Sequence, residues 1–379
     1  MSDQKLKILV TGGGTGGHVF PAIAIADAIK KLRPDAEFLF VGAHGKMEME
    51  RVPSAGYAIE GLNIAGFQRS MSIKNLSFPF KLLKSLIKAR SIIRKFKPNV
   101  VIGTGGYASG PVMQAAQRAG IPTLIQEQNS YAGVTNKILG RKAAKICVAY
   151  DHMDQFFPSD KIVFTGNPVR SDIVQLDGKR EEALKYYNLD PDKKTIVVIG
   201  GSLGARTLNN AMRDNMEFFE KYTQVAGARA GGIQAVWQCG KFYEYEYSAM
   251  ETAKLPNVQC RAFIDRMDLL YAAADVIISR AGALSISELC LVGKPAILVP
   301  SPNVAEDHQT KNALALVEKG AARLVRDGDA GEKMLQDALL ILENEALAFS
   351  LSESIRQMGR PNAAEAIARE ALKLVDKGL

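Results

Sequence analysis

Apolar positions along the chain fall into short runs punctuated by glycine and proline. Lys7–Thr11 reads as a buried strand, followed beyond a glycine turn by a helix over Pro21–Lys31 with its proline near the first turn. Similar runs stand at Glu37–Val41, Val100–Gly103, Thr123–Ile125 and Ile146–Val148, with helical stretches between most of them. Strands alternating with helices predict a parallel sheet covered on both faces. The pattern then starts again. "TIVVIGGSLGARTLN", Thr195 to Asn209, repeats the form of "KILVTGGGTGG", Lys7 to Gly17, and strand candidates follow at Ala235–Gln238, Val258–Arg261, Val276–Ser279 and Ala296–Val299. Two α/β domains of similar design are expected, joined at "TGNPVR", Thr165 to Arg170, where Gly166 and Pro168 break both helix and strand. Such a pair leaves a cleft at the carboxyl ends of the strands, where α/β folds bind ligands.

Composition supports this division. A chain of 379 residues exceeds what one hydrophobic core usually supports. Its 47% apolar and 23% charged residues are those of a soluble globular protein. No apolar run approaches the roughly 18 residues of a membrane span, and Ile8-Leu9-Val10 before the glycines is too short for a signal peptide, so a cytoplasmic protein is expected. Cys147, Cys239, Cys260 and Cys290 are scattered without metal-ligand spacing; neither a disulfide nor a structural metal is expected. Charge is divided unevenly: residues 1–166 carry 22 Lys+Arg against 11 Asp+Glu, and the remainder 26 against 29. No acid occurs between Glu60 and Glu127, where ten basic residues do. The two halves therefore face different partners.

The candidate chemistry lies in four glycine loops, each after an apolar strand and opening a helix: "TGGGTGGH" from Thr11, "GTGGYASGP" from Gly103, "GGSLGAR" from Gly200 and "SRAGALSISE" from Ser279. Glycine lets backbone approach a ligand closely, and a helix N-terminus favours negative charge. Gly12-x-Gly14-x-x-Gly17 satisfies the dinucleotide fingerprint, yet the second strand ends in Val41-Gly42-Ala43-His44 without the acid that would hold a ribose. A phosphate-binding P-loop fails as well, since His18 stands where a lysine is required. One such loop would be compatible with a ligand-free turn. Four, two per half, suggest phosphate groups in both halves, and two phosphorylated ligands account for that better than one. In the last loop Gly282-Ala283-Leu284 suits a diphosphate, and Glu288, about one turn into the helix, is placed to accept from two ribose hydroxyls; its alternative role is to stabilise the positive end of that helix.

In order along the chain, "GGTGGHVFPAIAIA", "GTGGYASGP", "EQNSYAGVTNK", "GNPVR", "GGSLGAR", "FIDRM", "SRAGALSISEL" and "EDHQTKNA" resemble the MurG-type N-acetylglucosaminyltransferases of peptidoglycan synthesis, glycosyltransferase family 28. The resemblance covers nearly the whole chain. It implies a GT-B fold of two Rossmann-like domains with parallel sheets separated by a cleft: 1–166 facing acceptor and membrane, 167–359 binding the UDP-sugar, and a C-terminal helix, about 360–379, crossing back onto the first. It implies an inverting transfer of GlcNAc from UDP-GlcNAc to the 4-hydroxyl of MurNAc in lipid I, an undecaprenyl-diphosphate acceptor, giving lipid II. For the donor, it implies backbone contact of Ile264 with uracil and contact of the Glu288 carboxylate with ribose. Ser202 and the amides of Ala283, Leu284, Ser285, Ile286 and Ser287 would hold the diphosphate. Gln309 and Asn129 would contact the sugar, and Thr15, Gly16, Gly17 and Arg170 would complete the pocket. The Gly13–Gly17 loop, with Gly13 and Gly14, and the loop of Gly105, Gly106 and Tyr107 would receive the acceptor's diphosphate. Where many relatives have His-Glu-Gln-Asn, this chain has Gln126-Glu127-Gln128-Asn129, which leaves His18 and Glu127 as the acid/base candidates.

Transfer to a hydroxyl needs a base of near-neutral pKa, and imidazole suits it. With no D-x-D motif in the expected setting, no metal or other cofactor is expected, and helix dipole and amides at Ser202 and Ala283 would meet the charge growing on UDP. "FPFKLLKSLIKARSIIRKFK", Phe78 to Lys97, has no acid and recurs apolar at helical spacing, so it suits an anionic membrane surface or, alternatively, a helix docked on the core with a solvated basic face. Peripheral placement on the cytoplasmic side of the inner membrane follows from the lipid acceptor. A UDP-sugar epimerase, a diacylglycerol glycosyltransferase and a non-enzymatic nucleotide-binding module are the rivals; nucleic acid is not expected, since only one half is basic and no recognition motif occurs.

Overall fold

A computed structural model describes residues 5–64, 78–169, 173, 176–201, 203–223, 232–304 and 307–376. Arg170 and Ser202, both expected at the donor site, lie outside the described residues. The chain forms two compact units, Met1–Val169 with Arg360–Leu379 and Arg170–Gly359.

The first unit is built on β1 (Lys7–Gly12), β2 (Glu37–Ala43), β3 (Ala58–Leu62), β4 (Val100–Gly105), β5 (Thr123–Glu127), β6 (Lys145–Val148) and β7 (Ile162–Phe164). All pair in parallel in the order β3-β2-β1-β4-β5-β6-β7. Alternation along β1 shows why the sheet is covered twice: Ile8 and Val10 enter one apolar cluster and Leu9 the other, all fully buried. Each such side chain contributes on the order of 1.5–3 kcal/mol by leaving water. Helices Phe78–Phe96, Ser109–Arg118 and Val134–Gly140 cover one face. The helices Gly16–Leu32 and Ala363–Asp376 cover the other, where Ile367, Ala368, Ala371 and Val375 join Val19, Ala22, Ile25 and Ile29. That spacing of i, i+1, i+4 and i+8 is one helical stripe.

The second unit contains β8 (Lys194–Ile199), β9 (Ile233–Gln238), β10 (Val258–Arg261), β11 (Val276–Ser279), β12 (Ala296–Leu298) and β13 (Arg323–Leu324), parallel in the order β10-β9-β8-β11-β12-β13. Both units are therefore doubly wound Rossmann-like domains, the pair that defines the GT-B class.

Two local readings of the sequence are corrected. The first helix starts at Gly16, so Pro21 is its sixth residue rather than a first-turn one, and the amide that proline lacks would have met the Gly17 carbonyl. Three strands escaped the apolar pattern, namely β3, β7 and β13. All are sheet edges with partly exposed residues, so they need no continuous apolar run.

Candidate active site

In each sheet the strand order reverses once, between β1 and β4 in the first and between β8 and β11 in the second. Open α/β sheets bind ligands outside the carboxyl ends of strands at such a point. All four glycine loops emerge there. Gly12 is in register with Gly105, and Ile199 with Ser279.

The two loops of the first unit interlock. Gly13 N–H donates to the Gly105 carbonyl at 3.2 Å, and a Cβ on Gly106 would stand 2.1 Å from the Gly13 oxygen, so only glycine permits this approach. Gly105 gives way to a ring instead: a Cβ there would lie 2.9 Å from Nδ1 and Cε1 of His18. The Thr104 hydroxyl holds the His18 carbonyl at 2.8 Å, and His18 Nδ1 is 3.1 Å from Gln128 Oε1. Gln128 Nε2 faces the carbonyls of Thr104 at 2.6 Å and Gln126 at 3.2 Å, together with Gln126 Oε1. Oxygens only accept, so they fix that amide's orientation and leave its oxygen toward the imidazole. Nδ1 then carries a proton, which in the neutral ring puts the basic lone pair on Nε2. Gln126 is a buried link in this network, donating to Asn167 at 2.8 Å, which returns to the Gln128 carbonyl at 2.9 Å.

Several expected roles change. The Gly14 amide donates to Glu48 Oε2 and that of Ala43 to Glu48 Oε1, each at 2.9 Å, and Glu48 is fully buried. With the Gly13 amide on Gly105, neither Gly13 nor Gly14 has an N–H to offer an acceptor diphosphate. The amides of Gly16 and Gly17, in the first turn behind the N-cap Thr15, have no intrahelical acceptor, and no acid sits in that turn. Gly105 and Gly106 turn the chain with φ of +103° and +88° into exposed Tyr107. Glu127 is tied into its own loop. Its buried carboxylate accepts from the Asn129 amide at 3.1 Å and side chain at 3.4 Å, the Gly133 amide at 3.1 Å and Asn136 Nδ2 at 2.8 Å. Four donors make it the anchor of the loop carrying Asn129.

In the second unit, Gly282 caps the helix Ala283–Val292. The first-turn amides of Ala283, Leu284 and Ser285 are open to an anion. Ile286 N–H already donates to the Gly282 carbonyl at 2.9 Å, and the Ser287 hydroxyl to that of Ala283 at 2.9 Å. Glu288 projects from the next turn, and the buried Tyr271 hydroxyl donates to its Oε2 at 3.0 Å. Buried Ile264 lies in the turn after β10. That turn is pinned by Arg266 on Asp268 at 2.9 and 2.8 Å and by the Tyr187 hydroxyl on the Arg266 carbonyl at 2.9 Å. The guanidinium holds the Asp268 carboxyl well below the usual range. Gln309 Oε1 accepts from the Ser301 amide at 2.9 Å, which ties the start of the helix His308–Val317 to the loop after β12. Arg280, the loop's one cation, points inward to Asp327 and the Val299 carbonyl. Sequence reasoning missed Glu48, Gln128 and Tyr271. Gln128 alone carried a signal, as part of the quoted "EQN" stretch.

Comparison with known proteins agrees with this geometry. The glycosyltransferase family 28 N-terminal domain matches residues 8–148 and its C-terminal domain residues 195–369. The UDP-N-acetylglucosamine--N-acetylmuramyl-(pentapeptide) pyrophosphoryl-undecaprenol N-acetylglucosamine transferase of Phocaeicola vulgatus is 54% identical over 99% of this chain and 98% of its own. Its counterpart from Bacteroides thetaiotaomicron is 53% identical over 99% of each. Among solved structures, MurG of Acinetobacter baumannii superposes with a TM-score of 0.77 at 31% identity, covering 97% of this chain and 99% of that one. A UDP-GlcNAc 2-epimerase from Neisseria meningitidis, with a TM-score of 0.67 over 97% of this chain and 100% of its own but 14% identity, shares the fold alone. Two switch-point glycine loops in each of two Rossmann-like domains, matched to these relatives over essentially the full length, make this chain a member of glycosyltransferase family 28.

Proposed function

We propose that the chain moves GlcNAc from UDP-GlcNAc to the 4-hydroxyl of MurNAc in lipid I, forming lipid II for peptidoglycan synthesis. The observation that carries this is the second unit's switch point, where three open amides and a carboxylate oriented by Tyr271 stand one helical turn apart. The donor's diphosphate takes the amides of Ala283, Leu284 and Ser285, and its ribose hydroxyls donate to Glu288. As the C1–O bond to UDP breaks, the helix N-terminus meets the growing negative charge. In the first unit the acceptor's diphosphate takes the amides at Gly16–Gly17 and the Gly105–Tyr107 turn. The 4-hydroxyl attacks C1 directly, with inversion, and passes its proton to His18 Nε2. The test is label transfer: radiolabelled UDP-GlcNAc with a short-chain lipid I analogue should yield labelled lipid. Labelled free sugar or an epimerised nucleotide sugar would replace this reading with another.

Among the described residues no helix is long and apolar enough to cross a membrane. The helix Phe78–Phe96 has two apolar faces: Leu82, Ala89, Ile92 and Ile93 pack into the core, while Phe80, Leu83 and Ile87 remain 71%, 57% and 58% exposed. Exposed Lys81, Lys84, Arg90 and Arg94 flank that second stripe. The helix Val134–Gly140, on the same side of the sheet, exposes Val134 and Ile138 as well. Core docking therefore uses one face and leaves another that suits anionic headgroups, which supports a peripheral position on the cytoplasmic side of the inner membrane. Each basic residue near such a surface adds about 1 kcal/mol. Binding to phosphatidylglycerol vesicles should fall steeply with salt and by about tenfold or more in Leu83→Glu/Ile87→Glu. Equal binding to neutral vesicles would remove the claim.

A further inference from the structure

The first glycine loop has the dinucleotide fingerprint but holds its own anion. Glu48, on the helix Glu48–Ser54, bridges from the Gly14 amide after β1 to the Ala43 amide at the end of β2. A dinucleotide fold uses the first of these places for diphosphate and the second for ribose. The neighbouring glycines are shaped around the carboxylate: a Cβ on Gly13 would lie 2.1 Å from Glu48 Oε1, and one on Gly42 2.4 Å from its Cγ. We propose that Glu48 is a specificity-determining and positioning residue, a built-in carboxylate that bars nucleotides from the amino-terminal domain and leaves an anionic ligand only the Gly16–Gly17 and Gly105–Tyr107 amides.

Two effects act together. The carboxylate consumes the donors a phosphate would need, and its buried charge repels a second anion from the same seat. Removing it leaves two inward N–H groups unsatisfied beside a void, which a tetrahedral anion can fill. Glu48→Gln is the milder change. It keeps the volume but turns an NH2 toward one of the two donors, which unsettles the loop without emptying it.

The test has two arms. In crystals soaked with inorganic phosphate, Glu48→Ala should hold the anion on the amides of Gly14 and Ala43, whereas the native enzyme should not. Phosphate on Gly14 in the native protein, or an empty seat in folded Glu48→Ala, overturns the proposal. The second arm rests on the transferase reading above: Glu48→Gln should raise the acceptor KM by about tenfold with the donor KM within about twofold. A native enzyme without transfer would sink that reading. An active native enzyme whose Glu48→Gln acceptor KM is unchanged would sink this one.

Discussion

Replacing His18 with alanine is expected to lower turnover by about two to four orders of magnitude, the range of a lost general base, while the KM for UDP-GlcNAc stays near its native value. The expectation rests on the tautomer. Gln128 Oε1 accepts from Nδ1–H because three oxygens hold its own NH2 group away from the ring. Nε2 is then the nitrogen able to take a proton from an attacking hydroxyl. The same reasoning predicts a smaller loss, about tenfold, in Gln128→Leu, where the ring remains but nothing selects its tautomer. Steady-state kcat and KM for each variant check both. Near-native turnover in His18→Ala would end the assignment.

Glu288→Ala should weaken the donor instead. Hydrogen bonds to a charged group contribute about 1.5–3 kcal/mol each, so losing two ribose contacts raises the KM for UDP-GlcNAc by roughly two to four orders of magnitude. The fold should survive, since Glu288 is only partly buried. Tyr271→Phe removes the hydroxyl that orients Glu288 Oε2 and should give a fraction of that loss, on the order of tenfold. UDP titration by calorimetry separates binding from chemistry. Unchanged UDP affinity in Glu288→Ala would show that the carboxylate only stabilises its helix.

Much of the fold was legible because central parallel strands are buried on both faces and leave apolar runs no polar pattern interrupts. Two of the edge strands leave no such mark: β3 contains Glu60, and β13 is two residues long. The start of the first helix was hidden for a different reason, since Gly16 and Gly17 read as turn until the sheet places them in helical backbone. At the site, residues that touch ligand through backbone lie in loops that announce themselves by glycine. Residues that orient those loops do not. Glu48 reaches Gly14 across 34 positions, Gln128 reaches His18 across 110, and Tyr271 reaches Glu288 across 17, and these separations are set by strand order rather than by local pattern. Glu127 shows the converse: a carboxylate in a conspicuous motif has both oxygens engaged by its own loop.

The helix Ala363–Asp376 completes the apolar layer beneath Gly16–Leu32 although the whole second unit intervenes in the chain. On the ribosome, the amino-terminal half must therefore wait, with Val19, Ala22 and Ile25 lacking part of their cover, until some 190 further residues have been translated. The inserted half is continuous and free to fold first. Chaperone demand during synthesis should thus fall on the portion made earliest, the reverse of the usual vectorial order.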